Sequence, residues 1–475
     1  MTAGPGQRLV SERAVGERAV GERAVGELHA ALPADVVLTD PASTDAYRRD
    51  HAGFGPAGVP LCVVRPTSTE QVQEVLRWAT RHRVPVVPQG ARSGLSGGAN
   101  AVDGCVVVSM TRMDRILEID PVDQVAVVEP GVVNAVLSRA VLEQGLFYPP
   151  DPSSWEISTI GGNIATNAGG LCCVKYGVTT DYVRGLDVVL ADGRLLRTGR
   201  RTAKGVAGLD LTRLVVGSEG TLGVVTRATL SLRPAPVPAL TVAAVFGAVP
   251  AALAAANRIM SSGLSPSLLE YLDATTVAAV QALRDMGLPP DARAMLIAQS
   301  DRAGLAEQDV AEMGRICADE GAVDVAVASD AEESALLLTA RRMAITALEQ
   351  IGTLLVDDVA VPRARLADLL AGLERIAGER DVRIACPAHV GDGNTHPTVV
   401  FDPTDPAAAE RAQLAFADVM RLGLSLGGTI TGEHGVGQLK RSLLRTELGE
   451  VSHDLQRSIK DLFDPLGILN PGKAL

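Results

Sequence analysis

Residues 88–98 read PQGARSGLSGG, and residues 151–170 read DPSSWEISTIGGNIATNAGG. The first run follows VPVV at 84–87, which reads as a strand. The second is a long polar loop with almost no charge. A third run, GSEGTLGVVT at 217–226, follows LVV at 214–216, which also reads as a strand. Glycine permits positive φ and lets neighbouring backbone N–H groups point into one concavity. Loops of this kind suit a pyrophosphate held without a lysine. They suit ordinary tight turns equally well in a chain with 48 glycines, and the pattern by itself leaves both readings open.

Working outward, residues 61–64, 105–109, 126–128 and 186–190 read as further short strands. Residues 68–82 read as a helix with Val72, Val75, Leu76 and Ala79 on one face and Ser68/Gln71 as a capping box. Residues 53–58 fit G-x-G-x-x-G, but a dinucleotide fingerprint needs a strand before it and a helix after it. Here YRRDH precedes and a strand follows, so the run reads as a loop. Around Pro234-Ala235-Pro236 the texture changes to longer helices, which marks a domain boundary. The uncharged stretch from 234 to 257 reads as a strand at 241–246 and a helix at 250–260 with proline in its first turn, rather than as a membrane span. At the other end, Glu-Arg-Ala-Val-Gly repeats three times at 12–26. Five residues turn a helix by about 500°, so the Ala-Val pair walks around the axis and builds no stable face. Residues 1–39 are therefore expected to be a disordered or helical leader.

The chain is long enough for two or three domains, and 47% of its residues are hydrophobic. A net charge of −12 argues against a nucleic-acid surface. Its six cysteines include no C-x-x-C pair, and no signal peptide opens the sequence, so a reducing cytoplasmic compartment is expected.

The histidines are few, 7 in all, yet His389 and His396 bracket the turn VGDGNT. Residues 384–389 and 396–401 read as flanking strands. Residues opposed across a hairpin have Cβ atoms about 5 Å apart on one face. The two imidazoles are therefore read as a facing pair of metal ligands, against the alternative of a hydrogen-bonded pair that steadies a turn. TGEHGVG at 431–437 offers a third ligand. Neighbours on an extended chain point opposite ways, so Glu433 is assigned to the metal and His434 is left free. Two nitrogens and a carboxylate suit a divalent ion, and zinc, manganese and iron all stay open on the donor set; zinc is the metal expected first. LTARRMA at 338–344 offers Arg341 and Arg342 as cations for a carboxylate.

PQGARSGLSGGA, GGNIATNAGG, KYGVTTDYV and GSEGTLGVVTRATLSLRP, in this order, resemble flavoproteins of the vanillyl-alcohol oxidase / p-cresol methylhydroxylase type. HVGDGNTHP, GGTITGEHGVG and DPLGILNPGK resemble its 2-hydroxyacid branch, which includes the glycolate oxidase flavin subunit, D-lactate dehydrogenase and D-2-hydroxyglutarate dehydrogenase. The likeness spans roughly 40–475. It implies an α+β fold: a two-subdomain FAD-binding domain at 40–236, an α+β cap domain with an antiparallel sheet at 237–430, and a segment at 431–475 that returns to the flavin. It implies FAD on Pro88, Gln89, Gly90, Ala91, Arg92, Ser93 and Gly94, on Asp151, Thr159, Gly161, Gly162, Asn167, Gly169 and Gly170, and along Glu219, Gly220, Val224, Val225 and Asn470. Some relatives carry a linking histidine in the first loop. Residues 91–93 hold none, so FAD is expected to be non-covalent.

The branch divides the Glu-His pair as above, with zinc or manganese as metal and the histidine as base. Its members often read W-x-x-R where this chain has Leu338 to Arg341. The resemblance thus implies oxidation of a D-2-hydroxy acid to the 2-oxo acid, with His434 and Arg341 as catalytic residues. Relatives that take a dicarboxylate carry a lysine in the stretch matching LLVDDVAVP at 354–362. Its absence here favours D-lactate or glycolate over 2-hydroxyglutarate, with the flavin-binding subunit of a multi-subunit glycolate oxidase as a further alternative. The electron acceptor (quinone, cytochrome, electron-transfer flavoprotein or O2) stays open, as does a homodimer. The expected location is cytoplasmic, with loose association to the inner membrane face allowed.

Overall fold

The computed structural model describes residues 24–475, so most of the repeat at 12–26 lies outside the described residues. The end of the repeat lies within them and packs. Residues 24–31 are helical, Ala24, Val25 and Leu28 are buried, and the Trp78 indole donates to the Ala24 carbonyl at 2.7 Å. Leaving that buried N–H unpaired would cost about 1–3 kcal/mol. Val37–Leu38 then pairs antiparallel with Cys62–Val64. Residues 24–38, grouped with the leader from sequence, therefore belong to the packed body. A single Ala-Val pair needs no long periodicity when a neighbouring helix supplies the other face.

The first sheet has the order Val37–Leu38, Cys62–Val64, Val106–Ser109, Val86–Gln89. The last three run parallel and read as continuous apolar runs, as strands covered on both faces do. The helix Thr69–His82 buries Val72, Val75, Leu76, Trp78 and Ala79. Ser68 Oγ accepts from Gln71 N at 3.4 Å, but Gln71 Oε1 accepts from Thr67 N instead of closing the box on residue 68. The G-x-G-x-x-G run has no helix after it. Its Gly58 lies flat on the backbone of residues 102–103, where a Cβ would sit 2.1 Å from Asp103 N.

A second, antiparallel sheet has the order Ile116–Asp120, Val125–Val128, Val224–Ser231, Val183–Val189, Leu195–Gly199. The strand expected at 214–216 is instead the end of a helix, Leu211–Val215. A short apolar run fits either state; Asp210, whose side chain accepts from Arg213 N at 3.0 Å, caps a helix and decides it.

Beyond Pro234 lies the cap. Its seven-stranded antiparallel sheet has Leu240–Phe246 and Ala294–Ser300 near one end and Leu268–Asp273 beside the short strands Ala388–His389 and Asn394–Thr395. The uncharged stretch is indeed the strand Leu240–Phe246 and the helix Val249–Ser261. No helix among the described residues is long and apolar enough to cross a membrane. Thr353–Val356, Thr398–Phe401 and Arg383–Ala385 form a small separate sheet. After the helix Arg441–Phe463 the chain returns to the first sheet, where Leu469 bridges Val86.

The histidine hairpin is shorter than expected and its register differs. His389 is opposite Asn394, and His396 lies beyond the pair. Pro387 has no N–H to give and breaks the ladder. Upstream, Arg383–Ala385 pairs with the other sheet, and His396 sits where the chain crosses between the two, its N–H on the Pro387 carbonyl at 2.9 Å.

Candidate active site

A cleft of about 1570 Å³ is lined by residues of both the flavin-type domain and the cap. The loop at 88–98 forms one wall. The carbonyls of Arg92 and Gly94 accept from His51 N and Ala52 N at 2.9 and 3.1 Å. Arg92 itself is left-handed, φ 59°. Among the described residues, no protein acceptor takes the backbone N–H groups of residues 90–96. This loop therefore leaves a run of backbone N–H groups without protein acceptors beside the cleft, an arrangement able to bind an anion through backbone alone. Thr159 caps the helix Ile160–Thr166 and accepts from Gly162 N at 3.3 Å. The two loops abut: a Cβ at Gly90 would lie 2.3 Å from Thr159 Oγ1.

Pro88 to Gly94 line the cleft, as do Asp151, Thr159, Gly161, Gly162, Gly169, Glu219, Gly220, Val224, Val225 and Asn470. Asn167 and Gly170 stand behind the wall. Asn167 is a left-handed helix cap, φ 53°, whose Oδ1 accepts from Thr180 N; Gly170 presses on Asp151. Glu219 reaches past the wall, and its carboxylate accepts from Val436 N and Gly437 N at 2.8 and 2.9 Å. Burial pushes this carboxyl up to about 7, against the pull of those two N–H groups. Asn470 Nδ2 donates to the carbonyls of Gly98 and Glu219. The C-terminal tail thus fastens two walls of the cleft.

On the cap side, His389 Nε2 and His396 Nε2 lie 3.0 Å apart. Glu433 Oε1 is 3.4 Å from the first and 3.2 Å from the second. The three residues can offer one ligand atom each to a single ion. His434 stacks on His396 at 5.1 Å with 10° between the rings; it is outside that set, but with Asp358 and His396 it forms a second group able to offer ligand atoms. His389 Nδ1 is 2.6 Å from Glu270 Oε1, and Glu270 Oε2 takes Arg341 Nε at 2.6 Å. Burial lowers the His389 pKa, but Glu270 outweighs it and holds it well above the usual imidazole range. Burial raises Glu433, but hydrogen bonds from His389 and His396 hold it well below the carboxylate range. Two Nε2 atoms and a carboxylate oxygen crowd together around proton charge; a divalent cation fits the same place and would displace a proton on binding. The carboxylate on His389 Nδ1 completes the carboxylate–histidine arrangement common behind metal ligands.

The two walls meet at Gly169, where a Cβ would lie 2.4 Å from Glu433 Oε2. Arg341 is 6% exposed and lines the cleft, its Nε committed to Glu270 and its terminal nitrogens free of protein acceptors among the described residues. Arg342 is exposed at the cleft's edge. Three participants escaped sequence reasoning. Glu270 lies in the apolar strand Leu268–Asp273, Asp358 in the acid pair noted only for its lack of lysine, and Lys440 just past the 431–437 loop. A buried charge inside an apolar strand was the available signal for Glu270.

Family models match both parts of the chain: an FAD binding domain at 60–199 and the C-terminal domain of FAD linked oxidases at 236–474. The chain is 43% identical over 417 residues to "Glycolate oxidase subunit GlcD" of Bacillus subtilis, covering 87% of this chain and 89% of that protein. It is 34% identical over 454 residues to "D-lactate dehydrogenase" of Anaerostipes hadrus, covering 93% and 94%. Its fold matches that of p-cresol methylhydroxylase with substrate bound, with a TM-score of 0.80 at 19% identity over 96% of this chain and 97% of the other.

Proposed function

Because this chain belongs to the family of FAD-linked oxidases, we propose that it oxidises a short D-2-hydroxy acid, D-lactate or glycolate, to the 2-oxo acid with the help of a divalent metal, zinc favoured. The observation that carries this reading is the convergence of His389 Nε2, His396 Nε2 and Glu433 Oε1, the last two residues lining the cleft that residues 88–96 also line. When bound, the metal supplies a Lewis acid and FAD a two-electron acceptor.

The chain's own residues supply the rest. Arg341 grips the substrate carboxylate with its terminal nitrogens, in the two-pronged manner that a guanidinium allows. Glu270 sets the direction of that grip and, through its other oxygen, turns His389 so that Nε2 faces the metal place. His434 takes the hydroxyl proton. Burial brings its pKa down to about 4, against the opposing pull of Asp358, so at neutral pH the imidazole is uncharged and able to accept. Residues 354–362 bring no lysine to the cleft, which favours a monocarboxylate; Arg92 and Arg342 also line it, so the substrate panel includes a dicarboxylate.

The test is anaerobic bleaching of the purified flavoprotein with a panel of D- and L-2-hydroxy acids, before and after chelation. D-lactate or glycolate should bleach the flavin at the lowest concentrations, and chelated protein should bleach far more slowly. Failure of every 2-hydroxy acid overturns the substrate class, and an unchanged rate after metal removal overturns the Lewis-acid role.

A further inference from the structure

Asp357 and Asp358 follow the strand Thr353–Val356 and are almost fully buried. Asp358 Oδ2 accepts from three groups of the glycine loop: Thr431 Oγ1 at 2.7 Å, Glu433 N at 2.9 Å and His434 N at 2.8 Å. Its other oxygen, Oδ1, has no hydrogen-bond partner and lies 3.9 Å from His396 Nδ1, which is also buried and unpartnered among the described residues. Lys440 Nζ balances the charge. It lies 3.0 Å from Asp357 Oδ1 and donates to the carbonyls of Ile430 at 2.8 Å and Asp358 at 3.2 Å.

Nothing in the proposed chemistry uses these acids directly, yet one carboxylate touches the backbone of both Glu433 and His434 and faces the back of His396. We propose that Asp358 is the positioning residue of the site: its two oxygens place Glu433 and the ring of His396 for the metal, and His434 for the substrate. This rests on the metal reading above. The arrangement parallels that of Glu270 behind His389. A carboxylate behind an imidazole keeps the proton on Nδ1, so the Nε2 lone pair is aimed at the ion. The 3.9 Å gap is too long for a direct hydrogen bond, so contact with the ring requires a bridging water or a small rotation of His396. On the loop side, two successive N–H groups on one oxygen fix the direction of two side chains that must point apart. A glycine on each side of Glu433-His434 leaves the backbone too free to hold that direction alone.

The experiment uses the FAD-loaded full chain and zinc or manganese alone as the probe. Wild type is titrated first against a competing chelator. Absence of a bound metal there defeats the metal reading itself and, with it, this inference. If wild type binds metal, Asp358→Asn should bind it about 10- to 100-fold more weakly, the range typical of lost outer contacts to ligands. FAD content should stay unchanged. With saturating metal, the KM of the hydroxy acid should return close to wild type while kcat stays low, because His434 remains misdirected. Lys440 stays paired with Asp357 in this variant. Should Asp358→Asn not fold, Thr431→Val, which removes only the hydroxyl contact to the same oxygen, provides the second measurement, with a smaller loss of metal affinity in the same direction. Unchanged metal affinity and kcat in Asp358→Asn, or in Thr431→Val where it is the variant measured, overturn the assignment.

Discussion

The side of the cleft proposed for the flavin and the side proposed for the hydroxy acid are built on opposite principles. Residues 88–98 and 159–170 work through backbone: free N–H groups, left-handed Arg92 and Asn167, and glycines pressed on neighbours. Few of their side chains carry charge. The opposite wall works through side chains brought from separate strands and loops: Glu270, Arg341, Asp358, His389, His396, Glu433 and His434. A backbone cradle is written in a contiguous stretch and tolerates side-chain exchange where no Cβ is crowded. A side-chain constellation tolerates almost none, since each member's place depends on a partner far away in sequence.

The sharpest way to break that contrast is to remove a ligand. His389→Ala should abolish bound metal and lower turnover by roughly 10³-fold or more, several kcal/mol of lost charge stabilisation. The flavin absorbance should survive, because none of its cradle touches His389. Elemental analysis beside the visible spectrum checks this; loss of flavin together with metal would show that the two walls are one cooperative unit. The next effect in size is that of His434→Ala. It should retain metal and FAD and lose about 10²–10⁴-fold in kcat and in kcat/KM alike, since proton removal is felt only in the transition state. Loss of metal in this variant would mean that Glu433 and His434 had been divided wrongly.

That difference in construction also explains what could be read from sequence. The glycine loops were visible as closely spaced glycines in contiguous stretches, but their reading as a cradle rather than as ordinary turns came from the family resemblance. His389, His396 and Glu433 stood out because histidine is scarce, the two histidines bracket a glycine-rich turn and Glu433 lies in a second glycine loop. The register of the hairpin was not legible: Pro387 shifts His389 opposite Asn394, and the ligand pair arises from a crossing between two sheets. Glu270 and Asp358 were hidden for a related reason. Glu270 sits in LLEYLD and looks like one charge in an ordinary strand, and its meaning appears only when Arg341 and His389 arrive from 71 and 119 residues away. Residues 214–216 misled as a strand because three apolar residues carry no usable period; they are the end of the helix Leu211–Val215 and its C-cap.

Arg341 tests the contrast from within the side-chain wall. Arg341→Ala would also leave Glu270 buried with one partner fewer, a change that typically destabilises by 3–5 kcal/mol, so it confounds binding with folding. Arg341→Lys retains a cation for Glu270 but offers no planar fork. KM for the hydroxy acid should rise roughly 10- to 100-fold, the worth of one charged hydrogen bond, with a smaller fall in kcat. Steady-state kinetics at saturating metal measures this split, and a pure kcat effect would remove Arg341 from substrate binding.

The smallest expected effect lies on the seam between the two walls. Glu219 comes from a flavin-side loop yet holds the backbone of Val436 and Gly437, and burial raises its pKa from 4.5 to about 7. A carboxyl raised in the folded state stabilises fully below its unfolded pKa, and that contribution is lost as pH rises through the folded value. Between pH 4.5 and 7 the loss is on the order of 3 kcal/mol as an upper figure, at about 1.4 kcal/mol per pKa unit. Asp50 and Asp151, raised by burial to about 6 and about 7, slope the same way, so wild type alone cannot isolate Glu219. Glu219→Gln removes the charge while leaving one oxygen to accept from the loop. The difference in unfolding free energy between variant and wild type, followed by denaturant titration from pH 5 to 8, should shift progressively in favour of the variant. A constant difference would mean that Glu219 stays ionised in the folded protein throughout. The two N–H groups of Val436 and Gly437 would then outweigh its burial, and the seam would be held by charge rather than by a neutral hydrogen bond.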